Sequence, residues 1–133
     1  MTYLLDVNAL LALGVRDHEF HERTAKWVKK AVADQSVFAT CAITELGFLR
    51  VFFHVSRARF TLQQAQTLLN RLKSAKELAF QFLVDDQGAA DLPQWVRWPK
   101  QLTDGHLVAL ANAHAAILAT LDESIRGAFV IPR

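Results

Sequence analysis

Five short apolar segments are distributed along the chain and are separated by segments with helical periodicity. They are Met1–Leu5, Ser36–Ala39, Phe80–Val84, Ile117–Leu121 and Phe129–Ile131. Strands that are apolar on both sides are typical of a parallel sheet that is covered on both faces. Because predicted strands alternate with predicted helices, the pattern indicates an α/β fold with a mostly parallel central sheet.

Helices are predicted between the strands from the regular recurrence of apolar side chains. Asn8–Gly14 is a short one, and a second helix follows a polar stretch and runs to about Ala33. Thr61–Gln64 is a capping box, in which a threonine and a glutamine three residues later satisfy each other's backbone donors. It opens a helix whose predicted buried face consists of Ala65, Leu68, Leu69 and Leu72.

Two further helices are predicted to begin at threonines, which are favoured N-cap residues. Thr40 is the candidate cap of a helix whose predicted apolar stripe consists of Ala42, Leu46, Leu49 and Phe53. Thr103 is the candidate cap of a helix that runs from Asp104 to about His114. The segment before it, Asp91–Lys100, contains two prolines and is predicted to be an irregular connection.

The composition is typical of one compact domain. At 133 residues, the chain is predicted to form a single domain over residues 1–133, because a second hydrophobic core would be too small. Hydrophobic residues make up 52% of the chain and charged residues 21%, which excludes an intrinsically disordered protein. The net charge of +2 permits a polyanionic partner without requiring one.

Cysteine content and hydropathy bear on where the protein works. Cys41 is the single cysteine, which excludes a disulfide framework and a cysteine-based zinc site. The longest uncharged stretch, Leu107–Leu121, is shorter than the roughly 18 residues that a membrane-spanning helix needs. Asp6 interrupts the apolar N-terminus where an export signal would place its hydrophobic region. We therefore expect a cytoplasmic protein with no membrane partner.

Four acidic residues occur at places where an α/β fold gathers its functional groups. Asp6 and Asp122 end the first and fourth predicted strands, and Glu45 and Asp104 lie in the first turns of predicted helices. Such positions face the carboxyl edge of a parallel sheet. Carboxylates that converge there repel one another, and a hard cation such as Mg²⁺ or Mn²⁺ removes that repulsion. The arrangement points to metal-assisted phosphate chemistry, in which the ion activates a water molecule.

Each acid also has a purely structural interpretation. Glu45 and Asp104 equally suit the positive end of a helix dipole, and Asp122 equally suits the opening of a turn. Asp6 has fewer structural uses, since apolar residues flank it on both sides. Spacing and composition by themselves therefore leave the metal site and the structural interpretation both open.

Four local sequences resemble the motifs of PIN domains, especially those of VapC-type toxins of type II toxin–antitoxin systems. In chain order they are Leu4–Leu10, Thr44–Val51, Thr103–Ala111 and Ile117–Asp122, the last with a threonine two residues before the acid. The resemblance spans the chain from Met1 to Arg133. It implies a PIN-like three-layer α/β/α fold, an endoribonuclease dependent on Mg²⁺ or Mn²⁺ that cuts RNA with activated water, a homodimer, and a cognate antitoxin that inhibits it.

The resemblance also implies roles for individual residues. By motif position, the metal-binding and catalytic residues are Asp6, Glu45, Asp104 and Asp122. Asn8 and Thr120 match the neighbours that orient such acids. Arg50 matches a basic position after the second acid, where it would contact either substrate phosphate or an intramolecular partner. Gly105 replaces a residue that is often larger, and we expect it to loosen the start of its helix.

Other functions remain compatible with the sequence. One is a non-catalytic PIN-like module that binds RNA or protein, and another is a metal-dependent DNA nuclease or phosphatase. Trp95 and Trp98 lie in the irregular connection, where they would either stack on bases or anchor that connection to the core. The aromatic residues Phe48, Phe52, Phe53 and Phe60 are expected in the core or in a dimer interface.

Overall fold

The computed structural model describes residues 1–133 and is built around a five-stranded sheet. The strands are β1 (Thr2–Leu5), β2 (Val37–Cys41), β3 (Phe80–Leu83), β4 (Ile117–Thr120) and β5 (Phe129–Val130). They lie side by side in the order β3-β2-β1-β4-β5, and every neighbouring pair is parallel. The predicted α/β class is confirmed, and the sheet is parallel throughout.

Five α-helices connect or flank the strands. They are α1 (Val7–Gly14), α2 (His21–Ala33), α3 (Ala42–Val55), α4 (Leu62–Lys73) and α5 (Leu102–Ala113). Two single 3₁₀ turns, Ala89–Asp91 and Pro99–Gln101, lie in the connection between β3 and α5. None of the helices is both long enough and apolar enough to cross a bilayer.

The hydrophobic core lies in two layers, one on each side of the sheet. Leu4 and Leu5 are adjacent on β1 and fully buried, yet they belong to different clusters because successive strand residues point to opposite faces. Side chains of α1 to α4 complete the larger cluster, and α5 completes the smaller one. The result is a helix–sheet–helix sandwich, as the predicted three-layer architecture requires.

The beginning of α3 differs from the prediction. Thr40 is not the N-cap: it lies within β2, which continues to Cys41 through pairing with Leu83. Cys41 is the capping residue, and its backbone N–H donates to Thr44 Oγ1 at 3.0 Å. The hydroxyl of Thr40 is used elsewhere, because it donates to Glu45.

The buried stripe of α3 was predicted only in part: Leu49 packs against the larger core cluster and Phe53 is partly buried, but the other two predicted members are not buried. Leu46, a member of the predicted stripe, is 58% exposed, and Ala42 is exposed as well. The buried residues are Thr44, Gly47, Phe48 and Phe52. This helix is apolar on two sides, so its periodicity alone permits two stripes, and close packing against α1 at Gly47 selects one of them.

The beginning of α5 corrects two further predictions. Thr103 is not its N-cap, because the turn Pro99–Gln101 leads directly into a helix that already begins at Leu102. Gly105 does not loosen the helix start. It is buried, and a Cβ atom at this position would overlap Val96 of the preceding connection. Glycine is therefore needed here for close packing rather than for backbone freedom.

Candidate active site at the carboxyl edge of the sheet

Asp6 directly follows β1 and is held by two hydrogen bonds. Its Oδ1 accepts from the backbone N–H of Val7 at 2.8 Å, so Asp6 caps α1. Its Oδ2 accepts from the Thr120 hydroxyl, also at 2.8 Å. The residue is only 7% exposed, and burial raises the pKa of Asp6, against the lowering effect of the two hydrogen bonds. The result is a carboxylate of fixed orientation in a poorly solvated place.

Thr120, the last residue of β4, is the centre of a small polar network. Its single hydroxyl proton goes to Asp6, and the oxygen accepts from Asn8 Nδ2 at 3.2 Å and from the Asp122 backbone N–H at 3.0 Å. Asn8 Oδ1 in turn accepts from the backbone N–H of Leu121 at 3.0 Å. The network ties the start of α1 to the end of β4 and thereby fixes the orientation of Asp6.

Asp104 and Asp122 complete a group of three aspartates with Asp6. Desolvation raises the pKa of Asp104, and the charges of Asp6 and Asp122 raise it further. Asp122 behaves differently, since Ser124 donates to its Oδ1 from both the backbone N–H (2.9 Å) and the hydroxyl (2.7 Å). These donors lower the pKa of Asp122. The three carboxylates are close enough to influence one another's ionisation, although they come from three different elements.

Glu45 lies in the first turn of α3, but its carboxylate is engaged by other groups. Its Oε2 accepts from Lys73 Nζ at 2.6 Å and from the Thr40 hydroxyl at 2.5 Å. Lys73 ends α4, and its side chain is 25% exposed, against 22% for Glu45. The ion pair is thus partly shielded from water. In this structure the charge of Glu45 is balanced by a lysine.

The donor set suits a hard divalent cation. It consists of carboxylates, and two of the aspartates have a pKa raised by burial and mutual repulsion, which a bound cation would relieve. As the side chains are placed, no three histidine, cysteine or acidic groups converge tightly enough to enclose an ion. Two of the four predicted acids are engaged by other groups, Glu45 by Lys73 and Asp122 by Ser124.

The structure separates the predicted site residues into three sets. It groups Asp6, Asp104 and Asp122, and it places Asn8 and Thr120 beside Asp6. Glu45 is at the same edge but is paired with a lysine. Arg50 is exposed on α3. It lies five residues after Glu45, so the two side chains point in directions about 140° apart around the helix axis.

Three further residues shape the site and were not predicted to do so. Ser124 could have been found locally, because a serine two residues after an aspartate is typical of an Asx turn. The sequence favours a capping role for Thr40, whereas its contact with Glu45 depends on how β2 leads into α3. Lys73 has no local signal at all, since it is 28 residues from Glu45 in sequence.

Comparisons with known proteins agree with this architecture. The PIN domain family matches residues 3–128. Ribonuclease VapC44 of Mycobacterium tuberculosis is 38% identical over 132 residues, which cover 94% of this chain and 89% of that protein. Ribonuclease VapC38 of the same organism is 35% identical over 127 residues, which cover 92% of this chain and 86% of that protein.

Two solved structures share the fold. One is VapC20 of Mycobacterium tuberculosis, described as a sarcin-ricin loop cleaving toxin, with a TM-score of 0.64 and 14% identity over 98% of both chains. The other is VapBC2 from Rickettsia felis, solved with a bound DNA fragment from the promoter of VapBC2. It has a TM-score of 0.61 and 15% identity over 97% of this chain and 96% of that chain. At these identities, the similarity concerns the fold.

Proposed function

This chain belongs to the PIN domain family, and from that membership we propose that it is a VapC-type endoribonuclease that requires Mg²⁺ or Mn²⁺. Identity of 38% with Ribonuclease VapC44 over nearly the whole chain supports RNA as the substrate. The observation that carries the proposal is the grouping of three aspartates from three elements, with Asp6 fixed by Thr120. A buried, orientated carboxylate among like charges is costly unless a cation is bound there.

The proposed roles follow from the environment of each acid. Asp6, Asp104, Asp122 and Glu45 would hold the ion, which, when bound, lowers the pKa of water and offsets charge on the scissile phosphate. Thr120 donates to Asp6 Oδ2 and so keeps that oxygen pointing in one direction. The lowered pKa of Asp122 keeps this carboxylate ionised.

We also propose partners for this activity. The VapC relatives and the VapBC2 structure support a cognate antitoxin as partner. In our proposal, the antitoxin inhibits the protein by reaching its acidic site. Homodimer formation and a cytoplasmic location belong to the same proposal. The buried thiol of Cys41 is compatible with a reducing compartment.

The direct test is cleavage of a mixed RNA pool, and of DNA of the same sequences, with Mg²⁺, Mn²⁺ or EDTA. We expect metal-dependent cleavage of RNA, and a loss of more than about 100-fold for Asp6→Asn, beyond the usual effect of losing only an orienting neighbour. Asp34→Asn, which changes an exposed aspartate at the end of α2, is the matched control and should retain activity. A folded Asp6→Asn protein with normal activity would refute the assignment. Cleavage of DNA alone would favour a DNA nuclease.

A further inference from the structure

A pocket of about 420 Å³ lies beside Asp122 and has no role in the site described so far. We call it the arginine pocket; it is lined by Trp95, Arg97, Gln101, Ser124 and Arg126. These residues come from two segments, the connection before α5 and the loop after β4. Ser124 joins the pocket to the acids, because it lines the pocket and donates twice to Asp122.

The charge of the arginine pocket is positive and uncompensated. No acidic residue lines it, and neither Arg97 nor Arg126 takes part in any of the ion pairs of the chain. Both arginines are exposed. By contrast, Arg133 is paired with Glu123, the residue before Ser124. Two unpaired guanidinium groups in a pocket that adjoins Asp122 through Ser124 would repel a cation from the pocket but attract a polyanion.

The aromatic wall of the pocket is anchored. Trp95 is partly buried and packs against the smaller core cluster, so its indole ring keeps its place while it lines the pocket. Gln101 Oε1 accepts from the backbone N–H groups of Arg97 (2.8 Å) and Trp98 (3.1 Å) and so braces the connection. A preorganised aromatic ring beside free guanidinium groups is a common way of binding a base together with its phosphate.

We propose that the arginine pocket binds one nucleotide of the RNA strand, adjacent to the scissile phosphate. Trp95 stacks on the base, and Arg97 and Arg126 bind the phosphate of that nucleotide. The volume is in the range of small-ligand pockets, and Gln101 Nε2 is available for a hydrogen bond to a base edge. This inference rests on the proposed ribonuclease function and adds where the strand lies relative to the acids.

Binding of a fluorescein-labelled, mixed-sequence single-stranded RNA, followed by anisotropy in Asp6→Asn protein to prevent cleavage, tests the charge of the pocket. We expect Arg97→Gln and Arg126→Gln each to weaken binding. Because both arginines bind the same phosphate, the double variant should reduce the slope of log K against log[KCl] by about 0.7, the value for one phosphate of a single strand. Arg57→Gln, an exposed arginine after the end of α3, is the matched control and should leave the slope unchanged.

The aromatic wall is tested separately. Trp95→Leu should weaken RNA binding by about 5- to 150-fold, the range for loss of one stacked base, whereas Trp95→Phe should retain most of the affinity. Thermal unfolding identifies variants that do not fold. If Trp95→Leu does not fold, the RNA affinities of Trp95→Phe, Arg97→Gln and Arg126→Gln still test the proposal. Equal RNA affinity and an unchanged salt slope in the double arginine variant would overturn the proposal.

Two controls separate the possible failures. The first control compares two competitors for the labelled RNA, poly-glutamate and an unlabelled RNA of equal charge. If poly-glutamate displaces the labelled RNA equally effectively, the pocket is a general anion or acidic-peptide site, and the nucleotide assignment is wrong. In the protein with Asp6 intact, cleavage of RNA with an unchanged KM in the pocket variants would reject the pocket alone. Absence of any RNA cleavage by the unmodified protein would reject the proposed function itself.

Discussion

At the scale of single residues, the acidic site is characterised by opposed pKa shifts. Burial raises the pKa of Asp6 and Asp104, whereas hydrogen bonds from Ser124 lower that of Asp122. A raised pKa means that the folded protein disfavours the ionised form of that acid. The site therefore carries a cost in the metal-free protein at neutral pH, and that cost is expected to disappear when a cation binds.

Asp104→Asn tests this cost. In the unfolded chain Asp104 ionises near its ordinary pKa of 3.8, but in the fold only at higher pH. The free energy of unfolding of the unmodified protein should therefore fall relative to that of Asp104→Asn as the pH rises from about 4. The difference should level off once the pH exceeds the raised pKa of Asp104 in the folded state. Urea unfolding in EDTA between about pH 3.5 and 7.5 measures the difference. A difference that does not vary with pH would contradict the prediction; Asp34→Asn is the control.

Lys73→Met tests whether the lysine competes with a cation for Glu45. Removing a positive charge that lies 2.6 Å from Glu45 should tighten Mn²⁺ binding by at least about 3-fold, measured by titration calorimetry. The stability of the metal-free protein should fall by less than about 1 kcal/mol, because the ion pair is partly exposed. Lys76→Met, at an exposed position just beyond α4, should leave the Mn²⁺ affinity unchanged. Weaker Mn²⁺ binding in Lys73→Met would instead mean that Lys73 positions Glu45.

At the scale of elements, the packing of α3 against α1 brings Glu45 and Asp6 to the same edge. Gly47 is the contact point, where an added Cβ would lie 2.6 Å from Val7 Cγ2, closer than carbon atoms pack. Val7 is the residue after Asp6 and donates its N–H to that carboxylate. The spacing of the two helices and the orientation of Asp6 are therefore linked.

Gly47→Ala should disturb both properties. Overpacking is expected to destabilise the protein by about 1–3 kcal/mol, more than the gain of up to about 1 kcal/mol from alanine's helix propensity. Urea unfolding and RNA cleavage measure the change in stability and in activity, and activity should fall as Val7 moves. At Gly88 nothing lies within 4 Å of an added Cβ, so Gly88→Ala is the control. Unfolding like that of the unmodified protein would show that the helices can separate freely.

Element prediction succeeded where neighbours in sequence determine the structure. The capping box of α4 is present, with Thr61 and Gln64 exchanging hydrogen bonds, and its buried residues are Ala65 and Leu69. It failed on α3, where two apolar sides compete and a contact with α1 decides. It also failed at Thr103, because a proline-containing turn begins α5 earlier than a threonine cap would.

At the scale of the whole molecule, the two core clusters share a single sheet, and we predict that residues 1–133 unfold as one cooperative unit. Trp27 belongs to the larger cluster, and Trp95 packs against the smaller one. Proteins that retain only Trp27 or only Trp95, with the other tryptophans replaced by Phe, should show the same urea midpoint by fluorescence as by circular dichroism. Two separate midpoints would mean that the two sides of the sheet unfold independently.

Metal binding should stabilise this cooperative unit as a whole. A ligand at 100 times its Kd that binds only the folded state raises the free energy of unfolding by about 2.7 kcal/mol. We therefore expect Mn²⁺ to raise the urea midpoint of the unmodified protein and to have less effect on Asp6→Asn. The same shift in both proteins would place the ion outside the aspartate group.

The sequence by itself determined the α/β class, the approximate strands, and the positions of the four acids at strand ends and helix starts. These follow from periodicity, capping and motif, which act between residues close together in the chain. Tertiary structure alone decided that Lys73 pairs with Glu45 and that Trp95 and Arg126 share a pocket. It also identified Asp6, 114 residues away, as the acid to which Thr120 donates, a partner that the motif resemblance had left unspecified. These contacts depend on the strand order β3-β2-β1-β4-β5, which no local pattern specifies.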